Sequence, residues 1–217
     1  YTGKRKKLYD FCTASVKKYA DRIGADYVVQ RTPILMIKPD VFQTNRSKES
    51  YMKYGGFLPI YEKENAFAYF RSYDKIALID GDIFIRDSAP DIFDEINDDI
   101  DFAGVVEREM PLNNKYVQKI TNYSRMQYGN IRNVDWKWNN RGAEFYNMGM
   151  MVINCQKFLP YLKGQTAEQF IRRPEFKDFV DGIGYRKWST DQMLLNYWVK
   201  KEKIPTLNMD WRWNGLF

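Results

Sequence analysis

Histidine is absent from all 217 residues, and cysteine occurs only twice, at Cys12 and Cys155. The first absence removes the imidazole on which zinc sites, Ser-His catalysis and Cys-His catalysis usually depend, and the two distant cysteines offer no metal-ligand spacing. Acid–base chemistry must therefore fall to carboxylates, Tyr or Lys. Both cysteines lie among apolar neighbours, which predicts buried, reduced thiols and fits a cytoplasmic protein. No apolar run approaches the roughly 20 residues that a membrane-spanning helix needs. The basic start Gly3-Lys4-Arg5-Lys6-Lys7 leads into a charged helix and not into a signal peptide. Asn45-Arg46-Ser47 and Asn122-Tyr123-Ser124 are formal glycosylation sequons, which mean little without secretion. Nothing resembles an interdomain linker, so residues 1–217 are expected to form a single domain.

Apolar residues make up 44% of the chain, enough for one substantial core, and the net charge is +6. An excess of Lys and Arg suits an anionic partner such as a nucleotide diphosphate, or serves solubility alone. The basic residues are scattered and mass on no recognisable motif, which argues against nucleic acid.

The most informative stretch is Ile76-Ala77-Leu78-Ile79-Asp80-Gly81-Asp82-Ile83-Phe84-Ile85-Arg86, an apolar, strand-forming run broken by two carboxylates. Burying carboxylates is costly, so they need a partner. In extended chain Asp80 and Asp82 point to one face, and Gly81 lets a ligand approach the backbone. Paired carboxylates suit a hard divalent cation, Mn²⁺ or Mg²⁺, which leaves coordination positions for substrate phosphates. The competing reading is a plain Asp-Gly turn at the end of an edge strand.

Elsewhere, apolar positions at helical spacing predict a helix from about Lys7 to Ile23, stopped by Gly24, and Asp26–Gln30 reads as a strand. Residues 31–56, with Pro33, Pro39, Gly55 and Gly56, suggest a long surface segment that reaches over a site. A helix over about Leu58–Phe70 feeds the aspartate strand, and Asp87 to Phe93 looks like a capped helix start. Asp101–Glu107 and Phe145–Asn154 read as strands, the latter broken by Asn147-Met148-Gly149. Residues 108–142 read as polar and aromatic, with Trp136 and Trp138 semi-exposed. Helices follow at about Thr166–Ile171 and Thr190–Lys200, with a short strand at Ile204–Asn208. The alternation argues for an α/β sandwich with a largely parallel sheet, whose ligands collect at the carboxyl ends of strands. Such units open with a strand, whereas this sequence opens with Tyr1 and a helix, so a strand is expected to precede Tyr1, in a segment that belongs to a larger protein.

With Asp80-Gly81-Asp82, Asn147-Met148-Gly149 and Ser189-Thr190-Asp191-Gln192 together, the sequence resembles the metal-dependent nucleotide-sugar glycosyltransferases of GT-A fold, notably the glycogenin-like group, over nearly its full length. The resemblance implies a single Rossmann-like α/β domain with a mostly parallel central sheet flanked by helices. It implies that Asp80 and Asp82 hold Mn²⁺ or Mg²⁺ against the donor diphosphate, that Asn147 and Gly149 line the donor sugar, and that Asp191 and Gln192 face the reacting sugar. Lys63, seventeen residues before Asp80, matches a basic donor-contacting position, and Tyr1 and Thr2 match the strand end beside the nucleotide base. Relatives often supply a late histidine as third metal ligand; none exists here, and Asp210 is the candidate to replace it or to bind substrate. The implied partners are a nucleotide sugar, by family habit a UDP-sugar, and a glycan or glycoprotein acceptor, with retention of configuration. A narrower likeness, to transferase domains that decorate a viral capsid protein, implies an acceptor of that kind in a host cytoplasm.

Each residue also has a plainer structural reading. Asn147 can cap a turn, Asp191 can complement a helix dipole, Lys63 can be solvated, and Trp211 and Trp213 serve a core as readily as a sugar platform. Two other functions compete. One is a non-catalytic nucleotide- or glycan-binding module; the other is a sugar nucleotidyltransferase, which would need a richer glycine loop than Gly3-Lys4-Arg5.

Overall fold

The computed structural model describes residues 6–41, 52–186 and 189–215. Tyr1, Thr2 and the Asn45 sequon lie outside these residues. The first helix, α1 (Lys6–Ile23), agrees with the expected span and ends on Gly24, whose φ of 70° is the left-handed conformation that glycine adopts without strain. Four strands form one sheet: β1 (Lys75–Ile79), β2 (Phe102–Val106), β3 (Tyr146–Asn154) and β4 (Thr206–Asn208), in the order β1-β3-β2-β4.

β3 pairs antiparallel with both β1 and β2, and β4 pairs parallel with β2. Three of the four strands therefore run in one direction, and the central β3 runs against them. This is a mixed sheet, and "mostly parallel" holds for strand direction but not for neighbouring pairs. Side chains alternate between two cores, except where β3 bulges between Met148 and Met150. Ile76, Leu78, Phe102, Met151 and Ile153 face one, and Ala77, Ile79, Ala103, Val105, Met150 and Val152 face the other. With both faces covered, the strands read as continuous apolar runs instead of alternating ones.

The first core is packed by α3 (Cys155–Leu162), α4 (Ala167–Ile171) and α6 (Asp191–Lys201), through Phe158, Phe170 and Trp198. The second is closed by Tyr19 of α1, Ile92 and Met209. Thr166 caps α4 with a reciprocal Gln169 bond, as its sequence spacing anticipates.

Several expectations change. Asp26–Gln30 forms no strand; among the described residues it has no strand neighbour, and Tyr73 Oη donates to Asp26 instead. Residues 31–41 are indeed mostly exposed but are pinned by Ile37, fully buried, and by Glu62, which accepts from the N–H groups of Ile34, Leu35 and Met36. Pro59–Tyr69 is a 3₁₀ helix. The start near Asp87–Phe93 is a short 3₁₀ turn, Ile92–Glu95, capped by Asp91. Residues 108–142 contain an unanticipated helix, α2 (Asn114–Tyr128), capped by Asn113. Trp136 is buried beneath Tyr128, their rings 4.2 Å apart, while Trp138 is exposed. A further short helix, α5 (Lys177–Asp181), precedes α6. Cys12 and Cys155 are buried free thiols, and no described helix is long and apolar enough to cross a membrane.

Candidate active site

β1 ends at Ile79, and the N–H of Asp80 donates to the carbonyl of Gly149 at 2.7 Å, which locks the aspartate turn beside β3. Gly81 and Asp82 then leave the strand in a turn, closed by the N–H of Ile83 on the carbonyl of Asp80. The two carboxylates are thus neighbours around a turn and not alternate residues of an extended strand.

Along β3, Asn147 pairs with Val105, yet Met151 pairs with Gly104, so Met148, Gly149 and Met150 are skipped on the β2 side. The expected break in this strand is a bulge on one edge only. Bulges re-aim side chains beside functional sites. Here Asn147 Oδ1 turns back to accept from the N–H of Gly149 at 2.9 Å and from Asn214 Nδ2 at 2.8 Å. A Cβ on Gly149 would stand 3.1 Å from Asn147 Oδ1 and 3.3 Å from the Asn214 amide, so glycine is needed there for closeness of approach.

Lys63, on the 3₁₀ segment, reaches across to this corner. Its ammonium lies 2.7 Å from Asp80 Oδ1 and 3.3 Å from Asp191 Oδ2, and donates to the carbonyl of Met148 at 2.6 Å. Burial alone would lower its pKa, but Asp191 and Asp80 together raise it, so Lys63 is a fixed cation. Asp80 keeps 42% of its side chain exposed; burial of the rest pushes its carboxyl up, Lys63 pulls it down, and the charges of Asp191 and Asp82 raise it further. Next to Lys63, Glu64 is completely buried with neither oxygen in a hydrogen bond. Burial, then the charge of Asp191, push its carboxyl well above the ordinary range, against the weaker pull of its own N–H and Lys63.

Asp191 opens α6 after Thr190, in the first turn where a carboxylate complements the helix dipole. At the next residue of the same helix, Gln192 Oε1 accepts from the N–H of Met148 at 3.2 Å. The helix is set against β3 by Asn196, fully buried, which accepts from Tyr146 N–H and donates to the carbonyls of Tyr146 and Gln192. Glu107, just past the end of β2, receives hydrogen bonds from Asn147 and Gln192; burial is the larger influence and lifts its pKa.

The structure therefore brings Lys63, Asp80, Asp191, Gln192, Asn147 and Gly149 into one corner at the carboxyl end of β1, with Asp82 on the adjoining turn. It does not bring Asp210 there. That carboxylate caps the 3₁₀ turn Trp211–Asn214 and is taken by Arg212 at 2.8 Å, which holds its pKa down. From the same turn Asn214 reaches the site instead. Trp211 is exposed, and Trp213 packs against the second core. Sequence reasoning missed Glu107, Glu64, Asn196 and Asn214. Glu107 stood at the end of an apolar strand, the signal that exposed Asp80, and Asn196 interrupts Met193-Leu194-Leu195; Asn214 carried no signal.

Asp80 and Asp82 offer hard oxygen donors at a half-open turn, which fits Mg²⁺ or Mn²⁺. Among the described residues no cluster of three His, Cys, Asp or Glu side chains could enclose a metal.

Residues 6–216 match the sequence model described as glycosyl transferase family 8. The chain belongs to this family. Neither the curated proteins nor the solved structures gave a match. Family 8 members are glycosyltransferases of GT-A fold, so this chain is a glycosyltransferase, which implies a sugar donor and an acceptor, and the mixed sheet flanked by helices is that fold. Divalent-metal dependence is general in family 8, in keeping with the Asp80–Asp82 turn.

Proposed function

We propose that this family 8 enzyme transfers a sugar from a nucleotide-diphosphate sugar, a UDP-sugar, to a glycan or glycoprotein hydroxyl with retention of configuration. The observation that carries the reading is the meeting of Lys63, Asp80 and Asp191 at one point, with the Asn147–Gln192–Glu107 hydrogen-bond network beside it. A divalent cation bound by Asp80 and Asp82 would neutralise the charge that develops on the departing diphosphate.

Lys63 would add a fixed positive charge to the same oxygens, already desolvated and therefore strong. Asp191 meets the same ammonium at 3.3 Å, and a carboxylate there can stabilise the oxocarbenium character of the anomeric carbon. Gln192, Asn147 and Glu107 present amide and carboxylate groups suited to sugar hydroxyls, and Gly149 lets the Asn147 and Asn214 amides close in beside them. A basic chain of net charge +6 favours an anionic donor. A viral capsid protein is the acceptor suggested by the narrower sequence likeness.

The test is a transfer assay with a panel of nucleotide sugars, read by mass spectrometry of released nucleotide and product, with and without Mn²⁺. Metal-dependent release of UDP from one UDP-sugar, lost in Asp82→Asn, is expected. Pyrophosphate release from a nucleoside triphosphate, or nucleotide binding with no turnover of any donor, would replace this reading with a nucleotidyltransferase or a binding module.

A further inference from the structure

Most aromatic rings of this protein lie in its cores, but Phe11 and Phe84 stack on the outside. Their centroids are 5.1 Å apart with planes 9° from parallel, and they remain 62% and 49% exposed. Leu8, one turn earlier on α1, is 44% exposed, so the three side chains form a continuous apolar patch. Phe84 follows Asp82 by two residues, which places the patch on the rim of the candidate active site.

The face continues into charge. Phe11, Ser15, Lys18 and Arg22 share one side of α1 by helical spacing. The last three, with Tyr19, Ile85, Arg86 and Asp87, line a cavity of about 270 Å³. Three cations meet one carboxylate there. Lys18 pairs with Asp87 at 2.7 Å, Arg22 donates to the carbonyl of Ala89 and covers the Tyr19 ring, and Arg86 makes no ion pair among the described residues. Lys7 adds exposed positive charge at the other end of the patch, beside Lys6, which pairs with Asp10 at 2.7 Å.

We infer that this face docks on an anionic phospholipid surface, with Phe11, Phe84 and Leu8 in the headgroup–acyl boundary and Lys18, Arg22 and Arg86 on the lipid phosphates. A cavity of cations alone would take any phosphate. Exposed aromatic and aliphatic side chains flanked at both ends by cations are the pattern that adheres to a bilayer, because apolar burial and charge act together. Docking brings the Asp80–Asp82 turn to the membrane surface. The inference does not depend on the donor or on the reaction.

The test is partition of the protein into sedimentable vesicles, pure phosphatidylcholine against phosphatidylcholine with phosphatidylglycerol. Preference for the anionic vesicles is expected, falling about fivefold for each cation removed in Lys18→Gln and Arg86→Gln. Phe11→Ser with Phe84→Ser, both surface changes whose folding is checked by circular dichroism, should lower partition at least tenfold. Three results would overturn the inference: no preference for anionic vesicles; loss on charge removal with the phenylalanine variant unaffected, which means bulk attraction of a basic protein or a soluble-phosphate site; or concentration-dependent self-association abolished by the phenylalanine changes, which means a second copy covers the patch.

Discussion

The Lys63 ammonium sits 2.7 Å from Asp80 Oδ1 and 3.3 Å from Asp191 Oδ2, so one buried cation bridges the candidate metal ligand and the candidate sugar-facing carboxylate. Lys63 thereby occupies an Asp80 oxygen that a divalent cation would use. The diphosphate of a donor offers the ammonium another anion, and should free Asp80 as it binds.

Lys63→Met should therefore separate two effects. Mn²⁺ binding without nucleotide should tighten several-fold, read by electron paramagnetic resonance titration. Sugar transfer should fall by about 10²-fold, since a desolvated charge at the leaving group is lost. Unchanged or weaker Mn²⁺ binding in a variant that melts normally would refute the competition.

Glu64 makes stability depend on pH. Its folded pKa lies above its ordinary value of 4.5, so the folded state holds a proton that the unfolded state has released. Stability is thus fully present below that value and is lost as pH rises through the raised one. Thermal melts from about pH 5 to about pH 8 should show a decline that is shallower in Glu64→Gln. Parallel curves for the two proteins would mean that Glu64 is not held protonated.

Asp82 and Asp210 should behave differently. Asp82→Asn should remove metal-dependent donor binding with little change in stability, because its side chain is exposed. Asp210→Asn should leave metal dependence intact with little change in stability, because asparagine caps a helix end as well as aspartate does and the Arg212 pair it weakens is exposed. Calorimetry of Mn²⁺ with UDP in each variant is the check, and loss of binding in Asp210→Asn would return Asp210 to the metal site.

Asn196 joins α6 to β3 through both backbone groups of Tyr146. Asn196→Ala leaves a buried N–H and C=O unpaired, at a cost of about 1–3 kcal/mol each. It should also shift Asp191 and Gln192, lowering kcat more than it raises KM. An unchanged kcat with reduced stability would limit Asn196 to a structural role.

The parts of this fold legible in the sequence were those whose burial leaves a one-dimensional trace. Ile76–Ile79 is apolar at every position because both faces of β1 are covered, and α1 alternates at helical spacing because only one of its faces is. The aspartate turn was visible as charge inside such a run, although its carboxylates were expected along an extended strand. Asp26–Gln30 misled because strand-forming residues need a neighbouring strand, which no local pattern reveals. α2 was hidden by its polar composition: Lys115, Gln118, Lys119, Thr121 and Asn122 mask the few buried positions, Ile120, Ser124, Gln127 and Tyr128. Within the site, Lys63, Asn147 and Asp191 were found by resemblance, whereas their convergence depends on the β3 bulge and on Asn196, which are tertiary features.

The most direct test of the central claim is a calorimetric titration of UDP and a panel of UDP-sugars into the protein, with and without Mn²⁺. The account predicts binding that strengthens markedly with Mn²⁺ and that Asp80→Asn abolishes in a protein that remains folded. Metal-independent binding of equal strength in wild type and Asp80→Asn, or no binding of any nucleotide sugar, would contradict it and leave Asp80-Gly81-Asp82 as a structural turn.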